Sequence, residues 1–149
     1  FSVPEMERAI AVGISPDAFP NRQGGGRIRP VPMGDRVRCP ALDPATHACT
    51  IYPVRPLDCQ LYPFVLIWDT DRTQVSLALH EACPFAQEAD GRTQLTGQVE
   101  TLVGLFESDP MIETVLATPD CIMAANTETI SLRPLTRLTC ALRNTRASR

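Results

Sequence analysis

Val3, Met6, Ala9 and Ile10 recur at three- and four-residue spacing, a stripe that predicts a short helix over Val3 to Val12. Ser2 and Glu5 form a capping box at its start, and Gly13 supplies the left-handed residue that ends it. Ser15-Pro16 caps one further turn. From Asn21 to Pro32 the pattern lapses into loop. Gly24, Gly25 and Gly26 lack the following Lys-Ser/Thr of a phosphate loop and are expected to form a surface loop. Asp35 to Cys39 alternates after a Gly34-Asp35 turn, and Asp43-Pro44 turns the chain again before Cys49 to Tyr52. These are two short extended pieces able to lie side by side. Arg55 to Tyr62 fits a single helical turn that Pro56 starts and Pro63 ends.

Phe64 to Trp68 and Gln74 to Leu79 predict a hairpin across Asp69 to Arg72. It leaves near Cys59 and returns near Cys83, which carries His80 and Cys83-Pro84-Phe85 back toward the other cysteines. Leu95, Val99, Leu102, Val103 and Phe106 predict an amphipathic helix over roughly Thr93 to Glu107. Asp109-Pro110 opens a second, with Met111, Ile112, Val115 and Leu116 as its apolar side. Past Pro119 the periodicity fades. Arg133 to Arg149 holds five arginines and no acid, a solvated tail or the start of something longer. It is too short and too poor in aromatics for a nucleic-acid arm. Together these elements predict an α+β chain. A small, irregular, metal-organised cysteine domain with short strands occupies residues 1–89, and a helical carboxy-terminal segment, open to truncation, occupies residues 90–149.

Composition narrows the functional classes. With 44% hydrophobic and 21% charged residues in 149, the chain can build a core, and intrinsic disorder is disfavoured. A net charge of −3 and a pI near 5.3 argue against non-specific attraction to nucleic acid or to an anionic membrane. All 14 basic residues are arginine, consistent with a high-GC bacterial genome, and without lysine no Schiff base can form. The chain opens on Phe1, which points to a processed chain or a fragment. No run approaches 18 apolar residues and no leader is visible, so a cytoplasmic protein is expected, with an unidentified protein as a partner.

The chemistry lies in the cysteines. Six is an even number, and turn-rich surroundings suit a disulfide framework, so a disulfide-stabilised extracytoplasmic interaction module is one reading. Against it, a chain with this much core does not need staples. Cys39, Cys49, Cys59 and Cys83 fall within 45 residues, and four thiolates satisfy either a tetrahedral zinc or an iron-sulfur cluster. The spacing lacks the close pairs of strong zinc signatures. His47 and His80 lie near cysteines and could each add a nitrogen donor, although histidines at such turns are more often merely exposed. Cys121 and Cys140 stand apart in the helical half and read as core thiols. Backbone amides at Thr50, Leu57 and Leu61 are placed to support thiolates. Arg55 either offsets thiolate charge or pairs with Asp58. Tyr52, Tyr62, Phe64 and Trp68 are expected to wall the site.

Cys49-Thr-Ile-Tyr52, then Arg55-Pro56, Cys59, Tyr62-Pro63-Phe64 and Cys83-Pro84 together resemble the YkgJ-type cysteine-cluster family, described as zinc- or iron-chelating or iron-sulfur proteins. The resemblance covers Phe1 to Phe85 and is most specific over Cys49 to Phe64. It implies that Cys39, Cys49, Cys59 and Cys83 are ligands to zinc or to an iron-sulfur cluster, with Arg55 in support. In that family a close-packed set of four cysteines precedes the first helix. That set is absent here, and Gln60 stands where the family suggests arginine. Some relatives are linked to lysine methylation of flagellin, so an accessory or catalytic part of a protein-modifying enzyme is a second alternative. The chain has no adenosyl-methionine loop and no catalytic dyad, so no reaction is assigned.

Overall fold

The computed structural model describes residues 1–21 and 26–147. The chain packs as two units, Phe1–Gln60 and Leu61–Arg149. Both helices and strands are present, as the α+β expectation requires.

In the first unit, helix α1 spans Val3–Ala11, with the capping box of Ser2 and Glu5 formed. Gly13 takes φ +110°. Its N–H donates to the Ile10 carbonyl at 3.0 Å and that of Ile14 to the Ala9 carbonyl at 3.1 Å, the pair of bonds that turns a chain back at a helix end. Met6, Ala9, Ile14 and Phe19 thereby join Ala41 and Ile51 in a small core, and the Phe1 ring packs edge-on to Phe19 at 5.1 Å. Burial of the larger of these, Met6, Ile14, Phe19 and Ile51, stabilises by about 1.5–3 kcal/mol each. Ser15 caps the predicted extra turn, Pro16–Ala18. Gly24 and Gly25 lie outside the described residues.

Strands β1, Val31–Met33, and β2, Arg36–Arg38, pair antiparallel across Gly34-Asp35. The expected loop thus ends earlier, at Pro30, and Pro32 is tolerated because a two-stranded ribbon is all edge. The piece carrying Cys49 does not lie beside β2. Instead Cys49 bridges Leu42, and the Cys39 carbonyl accepts the Leu42 N–H at 3.0 Å, so residues 39–49 make one closed loop. Asp43 explains the difference: its Oδ1 accepts the N–H of Ala45 at 2.8 Å and of Thr46 at 3.3 Å. Such a side-chain turn folds the chain back before it can extend.

In the second unit, β3, Phe64–Trp68, and β4, Val75–His80, form the predicted hairpin. Asp69 closes its turn by accepting the N–H and the hydroxyl of Thr73, both at 2.6 Å. Two further strands flank it. Strand β5, Ile122–Ala124, runs parallel to β3, and β6, Thr129–Pro134, antiparallel to β4, in the order β5-β3-β4-β6. Phe64, Leu66, Ile67 and Trp68 on β3 and Val75, Leu77, Ala78 and Leu79 on β4 are all buried, the near-continuous apolar run of central strands.

The remaining helices are α2, Leu57–Leu61, which spans the junction of the units, α3, Pro84–Gln87, α4, Ala89–Phe106, α5, Asp109–Ala117, and α6, Thr136–Ala147. The first of the two expected long helices starts four residues earlier, at Ala89, and the second forms as expected except that Ser108, not Asp109, stands at its cap. The solvated tail is not found: from Arg133 to Ala147 the chain is strand and helix. Leu135, Leu138 and Leu142 are buried at helical spacing, and Arg133 and Arg137 meet acidic side chains at the surface. Arg137 donates to Asp109 at 2.6 Å, and its backbone N–H donates to Glu107 at 2.8 Å. Arg133 lies 3.4 Å from Glu100.

Candidate metal centre

Cys39, Cys49 and Cys59 belong to the first unit and Cys83 to the second, and none of the six cysteines is in a disulfide. Cys39 follows β2 at the entrance of the closed loop. Cys49 leaves that loop packed against the core of the first unit, and its carbonyl accepts the Tyr52 N–H at 3.3 Å. The chain then makes the turn Tyr52–Val54 and enters α2, which carries Cys59. The start of α2 is held from a distance, because Glu5 accepts the Leu57 N–H at 2.9 Å. Gln60 ties the same turn by donating its side chain to the Arg55 carbonyl at 2.7 Å.

The environment of Cys59 is set by its neighbours. Although Cys39 and Cys59 are exposed, partial desolvation pushes the Cys59 thiol above the ordinary value, the charges of Asp58, Cys39 and Cys49 push it further, and Arg55 acts in the opposite direction. Cys39 and Cys49 are therefore each within electrostatic reach of Cys59. Among the described residues, no group of three or more His, Cys, Asp or Glu side chains is gathered tightly enough to grip a metal ion. Arg55 lies with its guanidinium carbon 3.8 Å from the Tyr52 ring centroid, and its Nε is buried without a hydrogen-bond partner. Soft thiols suit a thiolate-bound metal in donor chemistry, although as placed they are not drawn around one point.

Cys83 is buried and sits directly before Pro84 at the start of α3, its N–H donating to the His80 carbonyl at 3.3 Å. Burial pushes the Tyr62 phenol up, as do the charge of Cys83 and the hydrogen bond between the two side chains. His80 is engaged on both nitrogens: Nδ1 accepts the Ala82 N–H at 3.4 Å, and Nε2 lies 3.6 Å from Glu128. His47 occupies an exposed position at φ +57°.

Several supporting roles differ from expectation. The Thr50 N–H goes to the Ala41 carbonyl at 2.8 Å and that of Leu57 to Glu5, so neither amide is available to a thiolate. Tyr52 and Tyr62 are 61% and 52% exposed, too open for a wall that excludes water, and Phe64 and Trp68 are core residues of the second unit. Cys121 is half-buried and Cys140 exposed, so neither is the core thiol expected. Nothing in the sequence signals the unpartnered Arg55 Nε. A cavity of about 240 Å³ in the second unit, lined by Trp68, Arg72, Asp120 and Leu142 among others, includes no cysteine. No helix among the described residues is long and apolar enough to cross a membrane.

Comparison with curated proteins and with solved structures finds no match. A family model does match residues 4–92, that of the CxxCxxCC family, described as "Putative zinc- or iron-chelating domain". The match covers more than half of the chain, from the first helix to beyond Cys83, and the chain belongs to this family.

Proposed function

We propose that this protein binds zinc or an iron-sulfur cluster through the thiolates of Cys39, Cys49, Cys59 and Cys83, and that residues 1–89 are its metal-binding segment. The observation that carries the reading is that Cys39 and Cys49 each act electrostatically on the Cys59 thiol. It unites residues ten positions apart that sequence spacing alone does not bring together. Family membership supports chelation of a metal in general. Bound to these thiolates, zinc would act as a structural cross-link, whereas an iron-sulfur cluster would also carry electrons. The chain's own part is to hold soft donors, to set their charge through Arg55 and Asp58, and to draw them inward on binding, which couples metal affinity to folding. Thiolate ligands need a reducing compartment, which favours a bacterial cytoplasmic setting, with any protein partner met there.

Metal analysis and an absorption spectrum of anaerobically purified protein test this. Iron and sulfide with absorbance near 400 nm support a cluster, and stoichiometric colourless zinc supports the zinc form. A protein with neither metal, and with its cysteines oxidised in pairs, sinks the reading.

A further inference from the structure

The cavity of about 240 Å³ in the second unit lies against the β5–β3 side of the sheet. Trp68, at the end of β3, and Ala124, at the end of β5, are partners in the strand register. Both line the cavity, as do Leu116 of α5 and Leu142 of α6. Trp68, Ile122 and Leu142 are each buried, which makes the inner surface apolar. Arg72 and Asp120 line the same space but are exposed, so the charge sits at the mouth. Of these residues only Trp68 and Arg72 fall within the family-matched residues 4–92, and the cavity is assembled chiefly by chain beyond the chelating domain.

Two features set Arg72 apart. Its backbone takes φ +55°, a left-handed conformation that glycine adopts freely and that a larger residue holds only against strain. Strain kept where glycine would relieve it points to a use for the side chain. In addition, its guanidinium makes no ion pair with any described residue, and neither does the Asp120 carboxylate. Opposite charges therefore share one mouth without neutralising each other. A simple carboxylate entering there would be repelled by Asp120 and a simple amine by Arg72, whereas a molecule carrying both groups would satisfy both. The volume is below the roughly 300–1,000 Å³ of sites for drug-sized ligands, so the occupant is small.

We propose that this cavity binds a small zwitterion, a free α-amino acid with an apolar side chain. The side chain enters between Trp68, Ile122 and Leu142, Arg72 takes the carboxylate, and Asp120 takes the ammonium group. Such binding requires none of the cysteines and no metal.

Trp68 is the chain's single tryptophan, so its fluorescence reads the cavity directly. The probes are L-leucine, isocaproate, which lacks the ammonium group, and L-leucinamide, which lacks the carboxylate, each titrated into the full chain. L-Leucine is expected to change the emission saturably, and the other two to bind about tenfold or more weaker, the loss of one charge-assisted hydrogen bond. Arg72→Gln should erase the advantage of L-leucine over L-leucinamide, and Asp120→Asn its advantage over isocaproate. Arg72→Gly separates binding from folding: it should lose affinity for L-leucine while raising the denaturation midpoint, because glycine relieves the left-handed backbone. No saturable response to L-leucine, or to L-methionine titrated beside it, overturns the proposal. Equal binding of isocaproate and L-leucine overturns the assignment of a zwitterion, and unchanged affinity in both Arg72→Gln and Asp120→Asn overturns the site.

Discussion

The carboxylate of Glu5 accepts the main-chain N–H of Leu57 at 2.9 Å, while its other oxygen accepts the Ser2 N–H at 2.7 Å. One side chain thus caps α1 and fixes the start of the turn that carries Cys59. Burial works against its charge, but the hydrogen bonds from Ser2 and Leu57 together outweigh burial and hold the carboxyl below its ordinary value of 4.5.

Acid sensitivity of the first unit follows from that bond. A carboxyl depressed on folding contributes stability above its unfolded value and surrenders it as pH falls through the folded one. Denaturation followed from neutral pH downward should therefore show a loss below about pH 4.5 that Glu5→Gln, having no charge to lose, largely abolishes. Glu5→Ala also leaves the Leu57 N–H unmet and should cost about 1–3 kcal/mol at neutral pH. An acid limb unchanged in Glu5→Gln would assign the loss to another group.

Thr139 holds the second unit together in a comparable way. Its buried hydroxyl accepts the Val75 N–H at 3.0 Å and donates to the Leu135 carbonyl at 2.6 Å, which locks α6 to the first residue of β4. Thr139→Val keeps the shape but removes the acceptor, so a loss of about 1–3 kcal/mol is expected from equilibrium denaturation. Thr139→Ser keeps the hydroxyl and should lose less. Equal losses in the two variants would locate the effect in packing of the methyl group.

The elements legible in the sequence were those that announce themselves locally. The capping box at Ser2 and Glu5, Gly13 at the end of α1, and the apolar runs of β3 and β4 each carry their signal within a few residues. Strands β5 and β6 do not: Ile122–Ala124 is three residues long, and in Thr129–Pro134 no residue is fully buried. They exist because β3 and β4 need neighbours, which is a long-range demand. Helix α6 was hidden for a different reason. The Leu135, Leu138 and Leu142 stripe is clear, but the arginines around it read as a solvated tail until Glu107, Asp109 and Glu100 are seen to meet Arg133 and Arg137. At the candidate site, the four cysteines could be named from a family resemblance, whereas the Asp43 turn that makes one loop of residues 39–49 and the unmet Nε of Arg55 required three dimensions.

Gly91 offers a test of how closely α4 approaches the chain before it. A Cβ added there would lie 2.0 Å from the Phe85 carbonyl oxygen, a main-chain atom that cannot swing aside. Although alanine is the better helix former by about 1 kcal/mol, Gly91→Ala should destabilise by about 1–3 kcal/mol through forced displacement of the segment just after Cys83. Gly97→Ala, where the added carbon meets nothing within 4 Å, should be neutral or stabilising. A thermal melt of both variants compares them directly, and a stabilised Gly91→Ala would mean that the two segments are free to separate.

Removal of metal should act on the cysteine region and spare the distal thiols. A site formed only in the folded chain adds its binding free energy to stability, so free metal at one hundred times its dissociation constant should stabilise by about 2.7 kcal/mol. A chelator should abolish that gain. In Cys59→Ser the gain should disappear from the outset, since a serine oxygen is a poor soft donor beside Cys39 and Cys49. Cys140→Ser, at an exposed position on α6, should bind metal and respond to chelator as the parent does. Metal content per chain together with denaturation midpoints with and without chelator reports both quantities. Retention of metal by Cys59→Ser would remove that residue from the ligand set, and loss of metal from Cys140→Ser would bring the distal half of the chain into it.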